Sequence, residues 1–169
     1  MTILSKLFGA VSLILILATN AFAQDNQFTT ADEIQMQNCW EAVTDLNLQG
    51  EEHTLIECVG AASNVCMEEE EGGMTTMGMS ACIMREHSWW DSILNINYQN
   101  LKQVLQPSQF EDLRDAQRKW IAYRDASCAF HYNYWGEGTM RSTAFAGCML
   151  DTTAQRAAEI SNILDMSMM

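Results

Sequence analysis

Six cysteines, at positions 39, 58, 66, 82, 128 and 148, constrain this chain most, because each pair of neighbours brackets a break in the hydrophobic pattern. Cys66 and Cys82 each lie eight residues from Met74, beside Gly72-Gly73. Cys128 and Cys148 each lie ten from Gly138, within Gly136-Glu137-Gly138, and Cys39 and Cys58 flank Leu48 by nine and ten, beside Gly50. Residues equidistant from a turn face each other in a helical hairpin, so the spacing predicts the sequential pairing Cys39–Cys58, Cys66–Cys82 and Cys128–Cys148. Closing a loop of this length stabilises a fold by roughly 3 kcal/mol in the chain-entropy account.

Paired cysteines require an oxidising compartment. Lys6, the apolar run from Leu7 to Ala18 and the Ala21-Phe22-Ala23 pattern read as a cleaved signal peptide over residues 1–23. The run is shorter than the roughly 20 residues a membrane span needs, and no later stretch is apolar enough to cross a bilayer. Of 169 residues, cleavage leaves 146, the size of one domain, 24–169, with no cysteine near the new terminus to carry a lipid. A periplasmic or secreted protein is expected. Losing Lys6 moves the net charge from −13 to −14. Nucleic acid is thereby a poor partner, since phosphate binding needs a basic face, whereas a basic protein would be attracted.

The rest of the pattern is helical. Thr30 and Glu33 form a capping-box pattern that opens a first helix carrying Ile34, Cys39, Trp40 and Val43. A second, from about Glu51, aligns Leu55, Val59, Ala62 and Cys66, and a third, from about Ser80 to Gln106, aligns Cys82, Glu86, Trp89, Ile93, Tyr98, Leu101 and Leu105. Pro107 separates it from a fourth, opened by Ser108 and Glu111 and ending in the aromatic run Phe130, His131, Tyr132, Tyr134 and Trp135, most of it expected in the core. A last helix, from about Ser142 to Leu164, precedes a loose tail, Met166–Met169. No segment alternates with period two, so the expected fold is all-α, a bundle of about five helices arranged as disulfide-stapled hairpins.

The fourth helix carries an odd stripe. Leu113, Trp120, Ile121, Arg124 and Cys128 share one face, and Arg124 stands where a plain core would place leucine, one turn from Trp120. The same segment, Ala116-Gln117-Arg118, Trp120-Ile121, Tyr123-Arg124-Asp125 and Cys128, resembles the core signature of the lysozyme inhibitor LprI-like family. Met79-Ser80-Ala81-Cys82, Glu86, Asp91, Leu94-Asn95 and Tyr98 upstream, with Gly147-Cys148, Thr152 and Arg156 downstream, extend the resemblance over residues 79–165. It implies an extracytoplasmic helical protein that binds and inhibits lysozyme. Asn95, Tyr98, Gln117, Trp120, Arg124, Asp125 and Arg156 are then expected as a structural network, with Arg156 closing on Gln117, Asp125 or Asn95.

No Gly-x-Ser-x-Gly, phosphate loop or His-Glu-x-x-His occurs, His53, His87 and His131 are scattered, and the cysteines are expected to be oxidised. No catalytic residue and no cofactor are assigned. Glu68, Glu69, Glu70 and Glu71 oppose the dipole of a helix C-terminus, and read either as a solvated loop or as a contact surface for a basic protein. Trp135 and Glu137, at a glycine-rich tip, add an aromatic anchor for the same partner. Two alternatives remain. One is a structural or envelope-stress protein with another partner. The other is a Cu(I) binder using Met74, Met77 and Met79, with His87 within reach, although methionine is equally a flexible core filler.

Overall fold

The structure, a computed structural model, describes residues 27–49 and 53–169; the expected signal peptide, its cleavage site and the turn at Gly50 lie outside these residues. Among the described residues there are five α-helices and one short 3-10 turn, and no strand. They are α1 (Thr30–Leu48), the 3-10 turn Leu55–Cys58, α2 (Ala61–Glu69), α3 (Thr76–Val104), α4 (Pro107–Tyr134) and α5 (Arg141–Met168).

The helices run up and down in turn. Thr143 at the start of α5 donates to the Thr76 carbonyl at the start of α3 (3.1 Å), and Leu101 near the end of α3 packs on Ile160 and Leu164 near the end of α5. These two helices therefore run side by side in the same direction. α4 returns antiparallel along α5, since Gln117 meets Arg156 while Cys128 is bridged to Cys148. α1 lies on the opposite flank, parallel to α3, with Asp32 against Arg85 and Trp40 against Trp89. All three predicted bridges form: Cys39–Cys58, Cys66–Cys82 and Cys128–Cys148.

Two apolar clusters hold the bundle. The larger gathers Met36 and Val43 of α1, Trp90 and Leu94 of α3, and Leu150, Ala154 and Ala157 of α5, with Cys58 and Ala62. The alanines and the buried Thr153 keep the α5 seam low, so α3 lies close against it. Trp90 fills the junction and is wholly buried, a side chain whose burial contributes about 3 kcal/mol.

Several expected boundaries move. The first capping box is Thr29 with Asp32, one position earlier than expected: the Asp32 carboxylate accepts from the Thr29 amide (2.8 Å) while the Thr29 hydroxyl accepts from the Asp32 amide (3.2 Å). Asp32 is favoured because its side chain also reaches inward to Arg85. Met36, not Ile34, faces the core; Ile34 is exposed. The second helix is broken, with a 3-10 turn before Val59 and a left-handed Gly60 (φ +97°) that starts α2. α3 begins at Thr76, because the Thr75 hydroxyl caps it by accepting from the Gly78 amide (3.0 Å). Gly78 is forced there, since a Cβ would stand 2.1 Å from the Gly72 carbonyl oxygen.

α4 opens at Pro107 rather than at Ser108, as proline at the first helical position loses no hydrogen bond. Its cap is the Gln106 amide donating to the Gln109 side chain (3.0 Å), not the Ser108–Glu111 box. Ile121 falls outside the buried stripe and is exposed, because α4 packs mainly along α5, touching α3 at few points such as Phe110 on Tyr98, and its seam is narrow. Phe130, Tyr134 and Trp135 are exposed for the same reason, against the expectation of a core. Met166–Met168 are helical rather than a loose tail.

Candidate functional site

Two consecutive residues of α3 organise the α1–α2 flank. Glu86 is wholly buried, and its two oxygens meet four donors: the Gly60 amide (2.7 Å) and the Trp90 indole (3.2 Å) on one, the Ala62 (3.2 Å) and Ser63 (2.8 Å) amides on the other. A carboxylate, which only accepts, thus caps the N-terminus of α2 from a different helix. Arg85 binds Glu70 through both terminal nitrogens (3.0 and 2.8 Å) and Asp32 through one (2.7 Å). Burial pushes the Asp32 carboxyl upward, but hydrogen bonds from Arg85 and Thr29 outweigh it and hold the group below its usual range. Arg85 is shifted upward in turn: burial works against its charge, and its bonds to Glu70 and Asp32 prevail.

On the other flank, α4 docks through an arginine–tryptophan–arginine stack. Arg124 lies over the Trp120 ring at 5.0 Å and Arg156 at 6.0 Å. Arg156 also donates to Gln117 (2.9 Å) and Glu159 (2.6 Å). Of the partners expected for Arg156, Gln117 is the one it meets. Asp125 binds Arg124 (3.0 Å), Asn95 binds Asp91 on its own helix (2.8 Å), and Tyr98 packs on Phe110. These groups find their partners within the bundle, the buried Nη2 of Arg156 excepted, and that is the work of a scaffold.

His87 stands beside this stack, with Asp91 and Arg124 near it and its Nε2 buried without a hydrogen-bond partner. Burial, aided by Arg124 and opposed by Asp91, lowers its pKa from 6.5. The folded state then binds fewer protons than the unfolded one below that value, so stability must fall as pH drops from about 6.5 toward the folded pKa. The thermal midpoint is expected to decline between pH 7 and pH 5, and His87→Gln to flatten that slope; a wild-type slope unchanged in the variant would assign the titration elsewhere.

The remaining residues of interest meet at one end. Because Thr76 and Thr143 are joined, the α2–α3 and α4–α5 turns lie at the same end of the bundle. Glu68, Glu69 and Glu71 are exposed there, as are Met74 and Met77. From the other turn come Trp135, 48 % exposed, and Glu137, whose carboxylate binds Arg141 (3.3 Å). Glu70 is set apart by its bonds to Arg85. Met79 is partly buried, and His87 faces Arg124 rather than the methionines. Cys66, Glu70 and Cys82 also cluster, but both sulfurs are spent in a disulfide and offer no thiolate to a metal.

Sequence reading reached the glutamate and tryptophan tips but not their shared end, and it missed Arg85. The signal for Arg85 was faint: one arginine beside Glu86 on a helix whose inner face was otherwise apolar.

An uncharacterized protein from Rhizobium meliloti (strain 1021) is 24 % identical over 127 residues, covering 66 % of this chain and 91 % of that protein. No solved structure matches. The family model described as "Lysozyme inhibitor LprI" matches residues 66–160, from within α2 through the bridged α3, the Trp120 stack of α4 and α5 to Ile160. With more than half of its length matched, and the matched half holding two of its three disulfides, the chain belongs to the lysozyme inhibitor LprI family.

Proposed function

We propose that this protein acts outside the cytoplasm as a binding protein that inhibits lysozyme, by seating the end formed by the α2–α3 and α4–α5 turns on the basic enzyme. The observation that carries this reading is the convergence there of acidic Glu68, Glu69, Glu71 and Glu137 with the exposed apolar surface of Met74, Met77 and Trp135. A negative rim steers a cationic protein and an aromatic anchor supplies the buried centre of a contact. The disulfides Cys66–Cys82 and Cys128–Cys148 tie both turns to long helices, so little ordering is needed on binding. Met74 and Met77 serve this reading as contact residues, in place of copper ligation.

A turbidity assay with lysozyme tests it. The mature protein is expected to inhibit, less so at higher salt. Replacing Glu68, Glu69 and Glu71 together by glutamine is expected to weaken inhibition about tenfold, mostly through slower association. Trp135→Ala is expected to weaken it by a further factor of about ten to a hundred. Absence of inhibition by the unaltered protein, or inhibition indifferent to all four residues, would remove the proposal.

A further inference from the structure

A second feature lies on the side of the bundle, away from that end. Between α1 and α3 runs an open groove of about 470 Å³ lined by Glu33, Gln37, Trp40, Glu41, Trp89 and Ile93. Trp40 and Trp89 meet nearly perpendicular, at 75° with ring centroids 5.9 Å apart, and form two walls of a corner. Glu33 and Glu41 stand on the same α1 face, and among the described residues no lysine, arginine or histidine lines the groove.

Elsewhere the protein covers aromatic faces with its own cations. Trp120 carries Arg124 at 5.0 Å and Arg156 at 6.0 Å, and Tyr132 carries Arg141 at 5.0 Å. Such stacking is favourable because the ring face is negative, and guanidinium suits it best: it is planar, weakly hydrated, and still presents its edge to carboxylates. The Trp40–Trp89 corner offers that same environment, aromatic faces with two carboxylates at the rim, and none of the described residues that line it is a cation.

The geometry points to this groove as a receptor for an arginine side chain of a partner protein, its guanidinium against Trp40 and Trp89 and its edge toward Glu33 and Glu41. The site deepens the reading of a basic partner, but it is separate from the turn end and is testable without lysozyme.

The probe is acetyl-glycyl-arginyl-glycine amide, with the citrulline peptide as a neutral control of the same shape. Titration is followed by the indole N–H signals of the full mature protein in nitrogen–proton correlation spectra. The arginine peptide is expected to shift the Trp40 and Trp89 signals saturably, in the millimolar range of about 1–30 mM that one such contact supports. The citrulline peptide is expected to bind about tenfold more weakly. Glu33→Gln with Glu41→Gln, both on the surface, is expected to reduce arginine binding about five- to tenfold while leaving the spectrum otherwise intact.

Equal binding of the two peptides would mark an apolar groove and overturn the assignment. So would a shift confined to Trp135, or none up to about 50 mM, a concentration well above the expected constant. Failure of lysozyme inhibition with a positive peptide titration leaves the groove standing. The converse result removes the groove alone.

Discussion

Replacing Glu86 by alanine is expected to lower the unfolding free energy by about 3–5 kcal/mol and to leave the flank carrying α1 and α2 loosened. The carboxylate is wholly buried and accepts from three backbone amides and one indole. Removing it leaves four donors unpaired, those of Ala62, Ser63 and Trp90 buried and that of Gly60 half-buried, at roughly 1–3 kcal/mol for each buried one, less whatever relaxation recovers. Glu86→Gln should cost about 2–3 kcal/mol, because an amide keeps one acceptor oxygen but turns its NH₂ toward amides that also donate. Urea unfolding with the disulfides intact measures both. Native-state hydrogen exchange should show the Gly60, Ala62 and Ser63 amides opening first. A loss below about 1 kcal/mol for Glu86→Ala would show that water takes over the four bonds, and that the break at Gly60 does not depend on α3.

That break also marks where the sequence stopped being legible. Leu55, Val59, Ala62 and Cys66 recur at helical spacing, so a continuous second helix is the natural reading. What interrupts it is a carboxylate 23 to 26 residues away that rewards amides left free of helical partners at Gly60, Ala62 and Ser63. Periodicity registers which face a residue occupies, and Glu86 was placed on the inner face correctly. It does not register that a buried acid has backbone partners in another segment. Arg85 was hidden for the same reason, its partners Asp32 and Glu70 lying 53 and 15 residues off.

The disulfide pairing was legible because it follows from symmetry about turns, which loop glycines and a fixed helical rise determine. Arg156 was legible as a residue that closes a polar network, but the sequence left Gln117, Asp125 and Asn95 open as its partner, and only the docking of α4 on α5 selects Gln117. The aromatic end of α4 was misread as core, since a stripe pattern shows which way a side chain points but not whether a neighbour stands there. At the tips, sequence supplied the residue types. Only the parallel course of α3 and α5, fixed by contacts such as Thr143 with Thr76, brings them to one end.

Converting Cys128 and Cys148 together to alanine is expected to cost about 3 kcal/mol and to free the second half of α4 before anything else unfolds. The size follows from the loop the bridge closes, 20 residues in sequence. The location follows from how α4 is held. Gln117 and Cys128 are its only fully buried residues, so beyond the Trp120 stack the bridge to α5 is its main anchor. Past Cys128 the helix carries exposed Phe130, Tyr134 and Trp135, with Tyr132, against Phe145 and under Arg141, as the remaining ring contact across to α5. Amide exchange from about Ala129 to Tyr134 should therefore quicken well beyond the global change, while amides around Gln117 follow the global stability. The Cys66–Cys82 bridge makes a useful contrast, because Arg85 with Glu70 and the packed turn at Gly78 hold the same junction independently. Its loss should lower stability with little selective opening. If α4 stayed protected without its bridge, the Trp120 stack would be sufficient to dock the whole helix. If it opened as expected, Trp135 would be displayed by a helix that only a covalent tether keeps in register, and the double variant should lose binding at the turn end while retaining the groove between α1 and α3.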